Sequence, residues 1–267
     1  MRFSVWWHGI LNWVAGLCPL RADIPVPPAG TATGYSGPLP GTAPPHSRFG
    51  GRTWRYDQDG VHALGRLWRT AGEPLTCRTI MELYGGSILA AAEKHGINPA
   101  LIIMTIATET AALRRTGFTG PLSFRWEGHV PNRDVSPPFN GSYSAGPMQI
   151  LATTTRFLLA THGSAYALDY APFSIAPAYT ARPVPAPARH PLYEAAANID
   201  LGTAYMRSQF LLTGDDPILV AAAYNSGGLY QTSANDWRLR SHGAHLDRAA
   251  RWYGDACAVL AERGLVR

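Results

Sequence analysis

Apolar residues recur at helical spacing in several blocks of the chain, and helix-boundary residues separate the blocks. The stretch Pro99-Ala-Leu-Ile-Ile-Met-Thr-Ile-Ala-Thr108 is apolar almost all round, the pattern of a helix enclosed by protein. Before it, the spacing predicts a helix from about Thr79 to His95, stopped by Gly96. Asn98 then caps, and Pro99 takes the first helical position. A further helix is predicted to start at Pro147 and stop near Gly163, and a long one to run from about Leu192 to Thr213. Asp216-Pro217 repeats the cap-plus-proline signal and opens Ile-Leu-Val-Ala-Ala-Ala-Tyr224. A last helix spans about Ala244 to Arg263, and an early one covers Val61 to Thr70. No stretch alternates convincingly with period two, and no internal repeat is visible. The prediction is a mainly α fold with one domain over residues 52–267.

Proline changes the picture ahead of this domain and within it. Residues 19–48 hold eight of the 22 prolines, with Gly, Ser and Thr between them, so 19–51 reads as an extended linker. The second proline-rich stretch, 172–191, lies inside the domain and reads as an extended surface loop. Ahead of the linker, Trp6, Ile10, Trp13, Val14 and Leu17 fall at helical spacing, which predicts a short amphipathic helix over 1–18. It makes a poor signal peptide, because Arg2 is its one positive residue and His8 and Asn12 interrupt the apolar run. The flexible tether that follows favours docking on a partner or membrane surface over packing on the protein's own body.

Composition narrows the function classes. The chain is 46% apolar and 15% charged, with a net charge of +5 and a single lysine, Lys94. A mild positive excess without any Lys or Arg run suits an anionic surface such as a cell wall, and gives no nucleic-acid signature. No segment reaches the ~20 apolar residues of a membrane span. Cys18, Cys77 and Cys257 form no CxxC pair, so no metal is expected, and no cofactor motif is present. Cys77 and Cys257 could bridge, or stand as two separate buried thiols.

The candidate chemistry begins at Glu109, the one charge between Pro99 and Arg114. A carboxylate against a buried surface is costly unless a partner or a catalytic task holds it there. An apolar pocket keeps a proton on such a group near neutral pH, which a general acid needs. On the helix alone, a pairing with Arg114 or Arg115 would be the plainer reading. Three further segments follow: Ser144-Ala-Gly-Pro-Met-Gln-Ile150, Asn198-Ile-Asp-Leu-Gly-Thr-Ala-Tyr205 and Ala222-Ala-Tyr-Asn-Ser-Gly227. Gly146 allows the backbone to approach a sugar closely, and Gln149 can bond an N-acetyl group as donor and acceptor.

Together with Glu109-Thr110, these segments resemble, in order and spacing, the lysozyme-like lytic transglycosylases. That family is the soluble-lytic-transglycosylase (SLT) group of peptidoglycan-cleaving enzymes. The resemblance covers roughly Ile80 to Tyr253. It implies a lysozyme-like catalytic domain behind a proline-rich tail, with Glu109 catalytic. It also implies a glycan contact surface from Thr110, Ser144, Gly146, Met148 and Gln149, with Tyr224 bonded to the catalytic Glu and Asn225 facing the glycan. The Asn198–Tyr205 segment reads as scaffold, since Gly202 and Ala204 suit close helix packing. Thr110 stands where the family commonly has Ser, and Ala-Gly-Pro-Met where it has Gly-Leu-Met. A third departure, Phe124-Arg-Trp-Glu-Gly-His-Val130, resembles segments of phage-type N-acetylmuramidases and brings in Glu127, His129 and Asp134 as a second polar group. For His129 and Asp134 a plain loop role is favoured, while for Glu127 the two readings are close.

The implied partner is the peptidoglycan glycan strand, and the implied place of action is the cell envelope or periplasm. The leading expectation is cleavage of the MurNAc–GlcNAc β-1,4 bond to a 1,6-anhydro sugar. A hydrolysing muramidase using Glu127 is the first alternative. The second is an inactive lysozyme-like module that binds glycan. Residues 1–48 would suit attachment to a phage virion or another envelope-spanning assembly.

Overall fold

A computed structural model describes residues 44–114, 124–132, 139–170, 192 and 194–265, without the side chains of 111–114, 124–132 and 139–141. The chain divides into two units, 1–31 and 32–267, and every described residue belongs to the second. The expected helix over 1–18, most of the 19–51 linker and the loop at 172–191 lie outside the described residues.

The second unit opens with three short antiparallel strands in the order β1 (Trp54–Asp57), β2 (Gly60–Ala63) and β3 (Arg66–Trp68). This corrects the helix expected over Val61 to Thr70. The β2–β3 connection places Leu64 and Gly65 at φ 55° and 70°, a two-residue hairpin turn that no helix could contain. Gly60 and Gly254 allow this sheet to lie against the last helix, because a β-carbon at Gly60 would stand 2.8 Å from the Gly254 Cα. His46, within the stretch read as linker, exchanges both backbone hydrogen bonds with Trp54 at 2.8 Å.

Two helices follow, α1 (Leu75–His95) and α2 (Pro99–Arg114). Gly96 ends α1 in the left-handed conformation at φ 61°, and Asn98 accepts the Ala100 N–H at 2.9 Å. Both boundary expectations hold. Every residue of α2 from Pro99 to Thr108 is buried, which its all-round apolar face requires.

A second three-stranded antiparallel sheet comes next: β4 (Phe124–Asn132), β5 (Phe139–Ala145) and β6 (Ile150–Leu151). The helix expected from Pro147 therefore starts only at α3 (Ala152–His162). Residues 146–149 form a turn instead, with Gly146 at φ 71° and Gln149 at φ 47°, both outside the helical region. The long helix expected over 192–213 is two elements, α4 (Ala195–Ser208) and α5 (Phe210–Thr213). Next comes α6 (Pro217–Ser226), where the Asp216 carboxylate accepts the Ile218 and Leu219 N–H groups as the Asp-Pro signal predicts. The last helix, α7 (His245–Glu262), matches its expected span. The fold is mainly α.

The main core gathers α1, α2, α6, α7 and the first sheet. A smaller apolar cluster (Tyr143, Ile150, Leu158, Leu201) lies beneath the second sheet, and Tyr205 packs on both. Cys77 and Cys257 are buried free thiols, and burial pushes Cys257 up to about 12. Among the described residues no helix is long and apolar enough to cross a membrane.

Candidate active site

Glu109 stands in the last part of α2, where burial gives way to partial exposure. Its side chain is 18% exposed, and Oε1 lies 3.9 Å from Nε2 of His245, the first residue of α7. The His245 ring is buried. Burial first, then the charges of Arg248 and His242, push its pKa down to about 4 against a hydrogen bond to the Ala221 carbonyl. The ring is therefore neutral near pH 7. Thr110 turns its hydroxyl back onto the Ile106 carbonyl at 2.6 Å, within its own helix.

The turn after β5 is built around Asn198 of α4. The Asn198 side chain donates to the Ala145 carbonyl at 2.7 Å and to the Leu192 carbonyl at 3.2 Å. Its Oδ1 accepts the Met148 N–H at 2.9 Å. A β-carbon at position 146 would fall inside the Asn198 amide, so Gly146 is required both by space and by its positive φ. Met148 is fully buried against Gly202, where an added β-carbon would stand 2.5 Å from its sulfur. Its side chain therefore belongs to the core. Gln149 holds a conformation that non-glycine residues rarely adopt, of the kind that clusters at functional sites. Its amide donates to the Gly146 carbonyl at 2.9 Å, and Ser144 donates to its Oε1 at 3.4 Å.

Tyr224 of α6 joins this turn to Glu109. Its hydroxyl donates to the Met148 carbonyl at 2.9 Å. Burial first, and then the negative charge of Glu109, keep the phenol protonated well above its ordinary value. Tyr205 sets its ring edge-on to Tyr224, with centroids 5.4 Å apart. The next residue, Asn225, accepts the His242 N–H at 3.1 Å and so ties the end of α6 to the segment leading into α7.

Glu109, Met148, Tyr224 and Asn198 thus form one connected neighbourhood, with Gly146 and Gln149 on the same turn as Met148 and Ser144 at the end of the strand leading into it. Glu127 lies on β4 opposite Ser142, and the strand register slips between Glu127 and Pro131, around His129. Its side chain and Asp134 lie outside the described residues. None of the four sequence motifs includes His245. A histidine opening an amphipathic helix carries no local sign of the carboxylate it will meet. Among the described residues, no group of three or more His, Cys, Asp and Glu is arranged to hold a metal ion.

The site sets the partly exposed Glu109 carboxyl near the buried His245 ring and within electrostatic reach of the Tyr224 phenol, which burial keeps protonated. No family model matches the chain, and no curated protein matches it.

Proposed function

We propose that this chain is a lysozyme-like lytic transglycosylase that cleaves the MurNAc–GlcNAc β-1,4 bond of peptidoglycan. The observation that carries the reading is the convergence of separate sequence segments on Met148, beside Glu109's neighbour Tyr224. Tyr224 of α6 bonds the Met148 carbonyl and feels the charge of Glu109, while Asn198 of α4 bonds the Met148 N–H. The same four segments underlie the family resemblance.

The glycosidic oxygen is a poor leaving group and needs a proton as its bond breaks. Glu109 supplies that proton to the departing GlcNAc oxygen. The resulting carboxylate then takes the proton of the muramic C6 hydroxyl, whose oxygen attacks C1. The product is 1,6-anhydroMurNAc, with no water consumed and Glu109 protonated again. Gln149 and Asn225, both half-buried, offer amides to the sugar's polar groups. Thr110, half-buried, adds to the contact surface, while the buried Gly146, Ser144 and Tyr224 hold the turn behind it. Met148 contributes its backbone. The reaction takes place in the cell envelope, and residues 1–48 attach the enzyme to a phage particle or envelope-spanning assembly.

One observation keeps a second reading in view. Glu127 stands on the sheet that runs into the 146–149 turn, opposite Ser142. A carboxylate there that activates water would make the enzyme a hydrolysing muramidase. Digestion of purified peptidoglycan by the wild type and by Glu109→Gln, followed by mass measurement of the muropeptides, separates the readings. Products lighter by one water support transglycosylation, and ordinary reducing ends support hydrolysis. A Glu109→Gln variant as active as the wild type would sink both, and an inert wild type would leave a glycan-binding module.

A further inference from the structure

We propose that Arg240 is a specificity-determining residue, whose guanidinium binds a carboxylate on the glycan and makes the chain prefer strands of acidic sugars over neutral ones. The inference rests on the reading of the Glu109 neighbourhood as a glycan site, and it names the substrate feature that this site selects.

Residues 229–244 leave the end of α6 and return to the start of α7 as a ribbon, with Gln231 and Leu239 paired across it. Both ends of the ribbon meet the candidate site. At the outgoing end, a β-carbon added at Gly228 would stand 3.1 Å from the Tyr230 hydroxyl oxygen. The Tyr230 side chain therefore lies back against the residues that follow Asn225. At the returning end, His242 donates its N–H to Asn225 Oδ1 at 3.1 Å, and His245 stands 3.9 Å from Glu109. Arg240 sits between these two ends. Its N–H donates to the Tyr230 carbonyl at 2.8 Å, and its guanidinium carbon lies 5.7 Å from the centre of the Tyr230 ring. Leu239 beside it is fully buried, and its carbonyl accepts the Asn235 side-chain amide at 2.8 Å. The backbone that presents Arg240 is thus anchored on both sides.

Charge favours an anion here. The ribbon holds one acidic residue, Asp236, which Arg52 pairs with at 2.6 Å. Arg240 is exposed and enters none of the ion pairs among the described residues. The ring contact limits where the guanidinium can go, and its planar fork of N–H donors matches a carboxylate. A strand that alternates N-acetylglucosamine with muramic acid carries a lactyl carboxyl on every second sugar, whereas a polymer of N-acetylglucosamine is neutral. N-acetyl groups are common to both, so amides such as those of Gln149 and Asn225 do not tell them apart. A charge-assisted bond to the carboxylate does.

Calorimetric binding to the full chain carrying Glu109→Gln, which removes the general acid, tests this without cleavage. The probes are peptide-free glycan strands with free muramic carboxyls, the same strands with those carboxyls converted to methylamides, and chito-oligosaccharides of equal length. Adding Arg240→Gln is expected to weaken binding of the acidic strand about fivefold and to leave both neutral probes within about twofold. Arg240→Lys, which keeps the charge without the planar fork, is expected to fall between. Arg66→Gln removes the same charge from the exposed start of β3 and is expected to leave all three affinities unchanged. An unaltered acidic-to-neutral ratio in Arg240→Gln, equal losses on all three probes, or the same loss in Arg66→Gln would overturn the proposal. Should Arg240→Gln fail to fold, the parent decides: binding acidic and neutral strands alike, or binding none, overturns it. Cleavage of peptidoglycan by the wild type judges the proposed function separately. A chain that binds acidic strands through Arg240 but cleaves nothing refutes that function and leaves this inference standing.

Discussion

The Tyr224 hydroxyl donates to the Met148 carbonyl at 2.9 Å, and this single bond joins α6 to the turn that carries Gln149. Removing it in Tyr224→Phe leaves a buried carbonyl without that donor, at a cost of about 1–3 kcal/mol. Denaturant unfolding should show that loss. Muropeptide release should fall more steeply than stability, because the freed turn no longer holds Gln149 in place.

Asn198 is expected to matter more than its scaffold role suggests. Asn198→Ala removes the donors to Ala145 and Leu192 and the acceptor for Met148 N–H. Three backbone groups each lose a hydrogen bond, so a loss of several kcal/mol is expected, roughly 1 kcal/mol or more for each. Gly146→Ala attacks the same contact from the other side, through overlap with the Asn198 amide and a strained positive φ. Both variants should melt at lower temperature. A Gly146→Ala protein with unchanged melting temperature and activity would contradict the close approach.

Stability should fall with acid through His245. Its pKa is depressed in the folded state from 6.5 to about 4, so the unfolded chain binds the extra proton first. Its contribution is unperturbed above pH 6.5 and becomes a growing penalty as pH falls towards 4, reaching at most about 3 kcal/mol. Wild-type stability relative to His245→Gln should therefore shrink across this window in denaturant titrations.

His46 should show the opposite slope. Its pKa is raised, first by its hydrogen bond to Asp216, so its contribution is fully present below pH 6.5 and fades as pH rises through the folded value. His46→Ala should separate from the wild type in acid and converge with it in alkaline buffer.

Asp216→Ala should be among the more damaging single changes outside the candidate site. One carboxylate oxygen accepts two helix N–H groups, and the other accepts the buried Trp54 indole and meets His46. Losing the cap costs about 1 kcal/mol, and orphaning the indole about 1–3 more. Thermal unfolding measures the sum.

The helices were legible where their ends carry local chemistry. Gly96, Asn98-Pro99 and Asp216-Pro217 each act within one turn of chain, so a sequence window contains the whole cause. Four of the six described strands were not legible, because β1, β2 and β3 are three or four residues long and β6 only two, too short to establish a period. The turn at 146–149 was misread as a helix start because Gly-Pro opens both. What decides between them is Asn198, a partner far along the chain that fills the space a helical side chain would need. The grouping of Glu109 with Met148 and Tyr224 was legible only through motif order. The approach of His245 depends on how α7 packs on α2, which no window reports.

Asp216 also has a mechanical meaning. His46 and Trp54 both grip its carboxylate, and that carboxylate is the cap of α6. Tension on the chain ahead of His46 therefore enters the folded body at the head of a ten-residue rod. The tail of that rod bears Tyr224 and Asn225. Load applied at His46 and the Tyr224–Asn225 pair are thus two ends of one short lever, and pulling on the first should change the setting of the second.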